Sequence, residues 1–157
     1  MATYTDSYGF QKGSAAPLAR GLNKTSRIEV TLDFPKIIAA RLAAGATALA
    51  AGDVLEVLPV PAKSIVSNVG MDVTTAAGVT STIAIGDGTA ATGYLAATSA
   101  NATGVSGGVP VLSAGAFAPT LSGGKLYTAA DTIDITIGTA VPAAAVVRVF
   151  ATLTDVS

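Results

Sequence analysis

Apolar and polar residues alternate along several short stretches of the chain. The most regular alternation covers residues 27–34, where every second residue is apolar and the residues between them are charged or Thr. A period of two predicts a β-strand with one buried face. Residues 131–138 and 146–156 carry the same pattern, with inward-facing Ile residues in the first and Val and Leu in the second. The chain is therefore expected to consist mostly of strands.

Residues 64–88 contain two further alternating segments. Apolar residues occupy every second position over residues 69–73 and again over residues 83–85. Between them, residues 76–78 read Ala-Ala-Gly, and the Gly tolerates the positive φ that a tight turn requires. We predict a long β-hairpin whose two strands pair with each other and form the centre of the scaffold.

Weaker signals place the remaining elements. Pro35 and the apolar spacing after it predict one short helix over residues 35–44. A strand is expected at residues 54–60, with Pro59 at its end or at a sheet edge. Shorter strands are predicted at residues 94–97 and 109–112. Seven to nine short strands separated by turns indicate an all-β fold, an antiparallel β-sandwich of jelly-roll type.

Two segments lack any periodicity. Residues 1–26 contain Gly, Pro and spaced aromatic residues, which predicts an extended N-terminal arm in front of a β-sandwich body at residues 27–157. Residues 98–124 are rich in Gly, Ser, Ala and Thr, which indicates an exposed functional loop or a loop ordered by a neighbouring molecule. Docking of the arm to a partner and plain disorder of the arm both remain open.

The composition bears on the surface of the protein. Only 12% of the 157 residues are charged and 50% are apolar, whereas about 25% charged residues is typical of soluble proteins. Charge cannot cover the whole surface of such a domain. This favours a surface largely covered by other subunits, and a compact secreted-type domain with a Thr, Ser and Ala surface is the alternative.

Charge is unevenly distributed along the chain. The net charge is −1, which argues against nucleic-acid binding because that function needs a basic face. Residues 1–41 contain six basic and three acidic residues, so they carry +3 and the remaining residues carry −4. Two interpretations of the front of the chain remain open: a segment that binds an acidic partner surface, and a solvated tail with incidental Lys residues.

No membrane or secretion signal is expected. The apolar run at residues 37–51 includes Arg41 and is too short to cross a bilayer. Residues 1–26 contain no apolar signal-peptide core, which predicts a protein made in the cytoplasm and used without secretion.

The residue types exclude several chemistries. His, Cys and Trp are absent, so Ser-His-Asp and Cys-His catalytic groups and thiolate metal sites cannot be built. Asp131 and Asp134 are interpreted as part of a solvated strand face rather than a glycosidase pair. Residues 86–89, Gly-Asp-Gly-Thr, are interpreted as a turn rather than a calcium loop. We expect no enzyme activity, no cofactor and no metal.

Four segments taken in order resemble a known family. They read AAGDVLEVLPVPAKSIV, GMDVTTAAGVTSTIAIGDGTAATGYL, YTAADTIDITIG and VVRVFATLTDV. Their order is similar to that of the small β-sandwich structural proteins of tailed bacteriophages, especially capsid decoration (cement) proteins. The resemblance covers roughly residues 27–155.

The resemblance implies a structural virion protein on the exterior of the capsid, made in the host cytoplasm. Such a protein binds the major capsid protein, associates with itself as a homotrimer, and bridges capsomers through many modest contacts. It binds no nucleic acid and no membrane. A phage tail or fibre domain that recognises a host surface is the alternative.

The candidate partner-binding residues lie on the arm, on the loop and on one strand face. Phe150 falls on the polar face of the last strand, where a loop or the arm covers it or where it contributes to a subunit contact. A carbohydrate-binding module would need an exposed aromatic row, and the aromatic residues are too scattered for one. The candidates are Tyr4, Tyr8, Phe10, Lys12, Leu18, Arg20 and Lys24 in the arm, with Phe117, Leu121 and Phe150 in the loop and on the exposed strand face.

Overall fold

The computed structural model describes residues 3–4, 25–110 and 124–156. Within these ranges the chain forms ten strands and one helix. In chain order they are β1 (Thr3–Tyr4), β2 (Thr25–Asp33), α1 (Phe34–Ala43), β3 (Val54–Val60), β4 (Ser64–Thr75), β5 (Thr82–Asp87), β6 (Ala90–Ser99), β7 (Gly104–Pro110), β8 (Lys125–Tyr127), β9 (Asp131–Ile137) and β10 (Val146–Asp155).

The strands form two sheets. Sheet A has the order β1-β3-β9-β5-β6, and sheet B has the order β2-β10-β4-β7 with β8 also paired to β4. Because β10 pairs with β4 along its whole length, β7 and β8 both lie on the other side of β4 and act as one interrupted edge strand. Without β1, eight strands then form two four-stranded sheets in the jelly-roll arrangement. The predicted all-β sandwich is confirmed.

The core lies between the inner faces of the two sheets. Alternate side chains of β2, β9 and β10 point inward, as the period of two predicts. Ile133, Ile135 and Ile137 of sheet A are fully buried, as are Val147 and Val149 of sheet B. Burial of each such side chain contributes about 1.5–3 kcal/mol, so these rows of apolar residues hold the two layers together.

The predicted hairpin at residues 64–88 is wrong. Its two strands exist as β4 and β5, but β4 pairs with β10 and β7 in sheet B whereas β5 pairs with β9 and β6 in sheet A. Residues 76–81 cross from one sheet to the other, and Ala77 N donates to Ala100 O at 2.9 Å within this crossing. Alternation defines a strand and its buried face. It does not identify the strand's partner.

The helix prediction is confirmed to within one residue at each end. Asp33 caps α1, since its side chain accepts a hydrogen bond from Lys36 N at 3.1 Å, and Pro35 lies in the first turn. Phe34 and Ile37 are fully buried against the core. Arg41 is also buried, and its guanidinium donates to Thr47 O at 3.0 and 2.7 Å.

The predicted loop at residues 98–124 contains a strand. β6 covers Ala90–Ser99 and β7 covers Gly104–Pro110. The strand predicted at residues 94–97 is therefore longer than expected, and the strand predicted at residues 109–112 begins five residues earlier. Gly107 adopts a φ of 77° opposite Gly70, at an irregularity in the pairing of β7 with β4. Gly is disfavoured in strands, so a Gly-rich strand escapes detection by propensity. Residues 111–123 lie outside the described residues.

Candidate functional site

A polar cluster joins the two sheets at one end of the sandwich. Asp87 is the last residue of β5 in sheet A, whereas Lys125 and Tyr127 belong to β8 in sheet B. The Asp87 Oδ2 atom accepts hydrogen bonds from Tyr127 OH at 2.6 Å and from Lys125 Nζ. Its Oδ1 atom accepts from Thr89 N at 2.9 Å and from Thr89 Oγ1 at 2.6 Å. Both carboxylate oxygens are therefore bound, and the carboxylate connects the layers.

Two tyrosine hydroxyls extend this cluster into the core. Tyr94 OH lies 2.6 Å from Tyr127 OH, and both residues are 5% exposed. Because the Tyr127 hydroxyl donates its proton to Asp87, its oxygen accepts from Tyr94. The Lys125 ammonium lies 4.7 Å from the centre of the Tyr127 ring, a cation–π contact that adds to the ion pair.

Asp87 and the two tyrosines of the cluster do not titrate near neutral pH. Burial alone would raise the pKa of Asp87, but hydrogen bonds from Lys125, Thr89 and Tyr127 outweigh it and lower that pKa to about 2. Burial raises the pKa of both Tyr94 and Tyr127 above the ordinary value for a phenol. General acid–base catalysis needs a pKa near the working pH. The Asp87 cluster is therefore suited to holding the sheets together and not to proton transfer.

An acidic pocket of about 260 Å³ adjoins the cluster. Glu56, Asp87, Asp131 and Asp134 line it. Glu56 lies directly opposite Asp134 in the pairing of β3 with β9, and like charges at opposite positions repel each other. Burial raises the pKa of Asp134 to about 6, the Thr132 hydrogen bond opposes that rise, and the charges of the other three carboxylates add to it.

The prediction that Asp134 is solvated is wrong, since the residue is 6% exposed. Asp134 pairs with Gly86 of β5, and a Cβ at Gly86 would lie 1.9 Å from Ala90 O. The backbone of Ala90 therefore crosses the outer face of the sheet beside Asp134. The Asp134 Oδ1 atom accepts from Thr132 Oγ1 at 2.7 Å. The alternation along β9 correctly placed the Asp134 side chain on the outer face of the sheet. It could not reveal the backbone that covers this side chain.

Among residues 3–4, 25–110 and 124–156, no group of three or more His, Cys, Asp or Glu residues is placed to hold a metal ion. Within the same ranges, no helix is long and apolar enough to cross a membrane.

The fold is shared with chains of two phage capsids. A chain in the capsid asymmetric unit of cyanophage Pam1 superposes with a TM-score of 0.51 at 20% identity, covering 90% of this chain and 92% of that one. A chain in the capsid of Ralstonia phage GP4 superposes with a TM-score of 0.56 at 16% identity, covering 99% and 97%. No protein-family profile and no curated protein sequence matches the chain. At these identities the similarity establishes the fold.

Two of the predicted partner-binding residues lie in the described part of the chain. Tyr4 is in β1, opposite Leu55 of β3. Phe150 is on the outer face of sheet B, opposite Gly70, but it is only 7% exposed, and the Arg27 guanidinium lies 4.3 Å from its ring centre. Phe150 is therefore covered within the chain, by a cation from the neighbouring strand rather than by the loop or the arm that the sequence suggested. Tyr8, Phe10, Lys12, Leu18, Arg20, Lys24, Phe117 and Leu121 lie outside the described residues.

The segment that contains Phe117 and Leu121 is inserted into one edge of sheet B. The chain leaves this edge at Pro110, opposite Asn68, and returns at Lys125, opposite Val66. Residues 111–123 thus begin and end beside neighbouring positions of β4. On the same edge, Val105 of β7 is 65% exposed and Leu126 of β8 is 51% exposed. Exposed apolar side chains thus lie on both of the strands that residues 111–123 connect.

The Asp87 cluster was missed from the sequence, although one signal was present. Ile83, Ile85 and Asp87 occupy the same register, and the two Ile residues are fully buried. The pattern therefore places the Asp87 carboxylate on the inner face, where a charge needs a partner. Lys125 lies 38 positions away in the chain, so local spacing could not identify it. The turn interpretation of residues 86–89 is confirmed, since Ala90 N donates to Asp87 Oδ1 at 3.1 Å.

Proposed function

We propose that this chain is a structural virion protein that binds the outer surface of a phage capsid and stabilises the capsid by bridging capsomers. The observation that carries the proposal is the shared fold over at least nine-tenths of the chain with chains from two phage capsids. The Asp87 cluster fits a structural role, because its hydrogen bonds join the two sheets. No catalytic role is proposed.

The proposed contacts use the two segments that extend from the sandwich. The arm includes β1, which pairs at the edge of sheet A, and it leads to β2 at one edge of sheet B, whereas residues 111–123 connect β7 to β8 at the other edge of sheet B. Contacts on opposite edges allow one body to bind two neighbouring capsomers. The contact residues of the arm are Tyr4, Tyr8, Phe10, Lys12, Leu18, Arg20 and Lys24, and those of the insertion are Phe117 and Leu121.

The proposed partners are the major capsid protein and further copies of this chain in a homotrimer. A trimer presents three arms and three insertions, and linked sites raise the overall affinity well above that of one site. Weak single contacts then suffice on an assembled capsid, where several are made together. The low charge of the chain, 12% of its residues, fits a surface that is partly covered by subunits.

The test is a variant that lacks residues 1–24 and begins at Thr25, the first residue of β2. It is added to mature capsids of the parent phage prepared without this protein, and occupancy is measured by electron microscopy and by protein content. The double variant Tyr8→Ser and Phe10→Ser keeps the arm length and tests the aromatic anchors. Leu42→Ser, at an exposed site on the helix, is the matched control.

We expect the truncated variant to lose at least tenfold in occupancy while its circular dichroism spectrum stays that of a folded β-protein. The Leu42 variant should bind as the parent does. Unchanged occupancy of the truncated variant contradicts the role of the arm. Absence of the parent protein from capsids, together with its retention on host cells, favours the tail or fibre alternative.

A further inference from the structure

The edge of sheet A accepts a strand from the beginning of the chain. β1 runs parallel to β3, with Thr3 opposite Val54 and Tyr4 opposite Leu55. β3 is otherwise the outer strand of its sheet in the described part of the chain. The backbone at Val54 and Leu55 is therefore an acceptor that fits the sequence Thr-Tyr in a defined direction and register.

This pairing is weakly supported within a single chain. In the described part of the chain it comprises two residue pairs, and each backbone hydrogen bond contributes little net free energy once its competition with water is counted. Against that gain stand the cost of fixing the backbone of Thr3 and Tyr4 and the cost of closing a loop of 20 residues, 5–24. A single copy gains little by keeping its own β1 in place.

The connection is also far longer than an internal pairing requires. β2 follows it and packs against β3, and packed sheets lie only about 10 Å apart. A chain of 20 residues extends to about 66 Å, whereas a domain of this size has a radius of gyration of about 15 Å. Residues 5–24 can therefore carry β1 to the β3 edge of an adjacent copy.

We infer that the β3 edge at Val54 and Leu55 binds residues Thr3–Tyr4 of a second copy of this chain, so that neighbouring copies exchange their N-terminal strands. Each copy then supplies one strand and one acceptor edge. In a closed ring of three copies every such strand is paired and every acceptor edge is occupied. This inference rests on the proposed function only in that the chain associates with itself. It adds to that function the two segments that make the contact.

The absence of Cys from the chain allows a direct test without capsids. Two single variants, Thr3→Cys and Val54→Cys, are prepared with tags of different mass, mixed after mild unfolding and refolding, and oxidised with copper phenanthroline. We expect a covalent heterodimer that carries both tags as the main product. Leu126→Cys, at an exposed position of β8 in the other sheet, replaces Val54→Cys in the control and should give at least tenfold less heterodimer with Thr3→Cys.

The double variant Thr3→Cys and Val54→Cys separates exchange from internal pairing. Exchange predicts covalent oligomers on a non-reducing gel, ending at a closed trimer. Internal pairing predicts oxidised protein of monomer mass, and that result overturns the inference, as does a double variant that folds and stays reduced. As a second measurement, removal of residues 1–4 should shift the light-scattering mass from oligomer to monomer. An unchanged mass overturns the inference too, without bearing on whether the protein binds capsids.

Discussion

The carboxylate of Asp87 and the ammonium of Lys125 form an ion pair across the two sheets, with side-chain exposures of 0% and 19%. Lys125 opens the strand on which the chain returns after residues 111–123, so the pair ties one end of that insertion to the opposite sheet. The end of the insertion at Lys125 is therefore attached to the core by an ion pair as well as by apolar packing, whichever partner the insertion binds.

Replacing Asp87 by Asn should lower the free energy of unfolding by about 3 kcal/mol, because it removes a fully buried negative charge that pairs with Lys125 and accepts a hydrogen bond from Tyr127. Asp72→Asn is the matched control. It breaks the 2.7 Å pair with Arg148, whose side chain is 39% exposed, and should cost about 1 kcal/mol or less. Urea titration measures both. Equal losses would show that the Asp87 pair is no stronger than a surface pair.

The lowered pKa of Asp87 predicts that the stability of the protein depends on pH. The pKa of Asp87 is about 2 in the folded protein and has its ordinary value of about 3.9 in the unfolded chain. Its contribution to stability is therefore complete above about pH 5 and is lost as the pH falls from 4 towards 2. Urea midpoints between pH 2 and 5 should fall less steeply for Asp87→Asn than for the parent protein. Parallel curves would contradict the lowered pKa.

The raised pKa of Asp134 predicts the opposite dependence of stability on pH. Its pKa is about 6 in the folded protein, above the ordinary value, so its ionisation costs stability as the pH rises from 4 through 6. Asp134→Asn should therefore be more stable than the parent by about 1–2 kcal/mol at pH 7.5 and no more stable at pH 4. Carboxyl NMR titration gives the pKa directly. Asp131→Asn removes one neighbouring charge and should lower the pKa of Asp134.

Side-chain alternation predicted most strands and their buried faces because it depends only on neighbours in sequence. Ile135 and Val149 were placed in the core correctly for this reason. Strand pairing depends on residues far apart in the chain. The pairing of Met71 with Val149, in place of a β5 partner, has no local signature. Arg27, which covers Phe150 in place of a loop or the arm, and Lys125, the partner of Asp87, were missed for the same reason, since both lie on other strands.

Gly86 should not tolerate a side chain. A Cβ there would lie 1.9 Å from Ala90 O and 2.5 Å from Ala91 C, both backbone atoms. Ala90 cannot easily retreat, because its N–H donates to Asp87. Gly86→Ala should destabilise the protein by about 3 kcal/mol or more. Gly88→Ala, two residues away with nothing within 4 Å of its Cβ, should change stability by less than about 1 kcal/mol. Thermal unfolding of the two variants tests the contrast.

Lys63 adopts a φ of 59°, the left-handed conformation that costs a side-chain-bearing residue about 1–2 kcal/mol. The surrounding hydrogen bonds enforce it, because Lys63 N donates to Tyr127 O at 2.6 Å and Lys63 O accepts from Val156 N at 3.0 Å. Lys63→Gly should therefore raise the free energy of unfolding by about 0.5–1 kcal/mol, after allowance for the greater freedom of Gly in the unfolded chain. Lys63→Ala keeps the Cβ and the strain and should be neutral in the same urea titration. A glycine variant less stable than the alanine variant would mean that the two hydrogen bonds do not hold the backbone in this conformation.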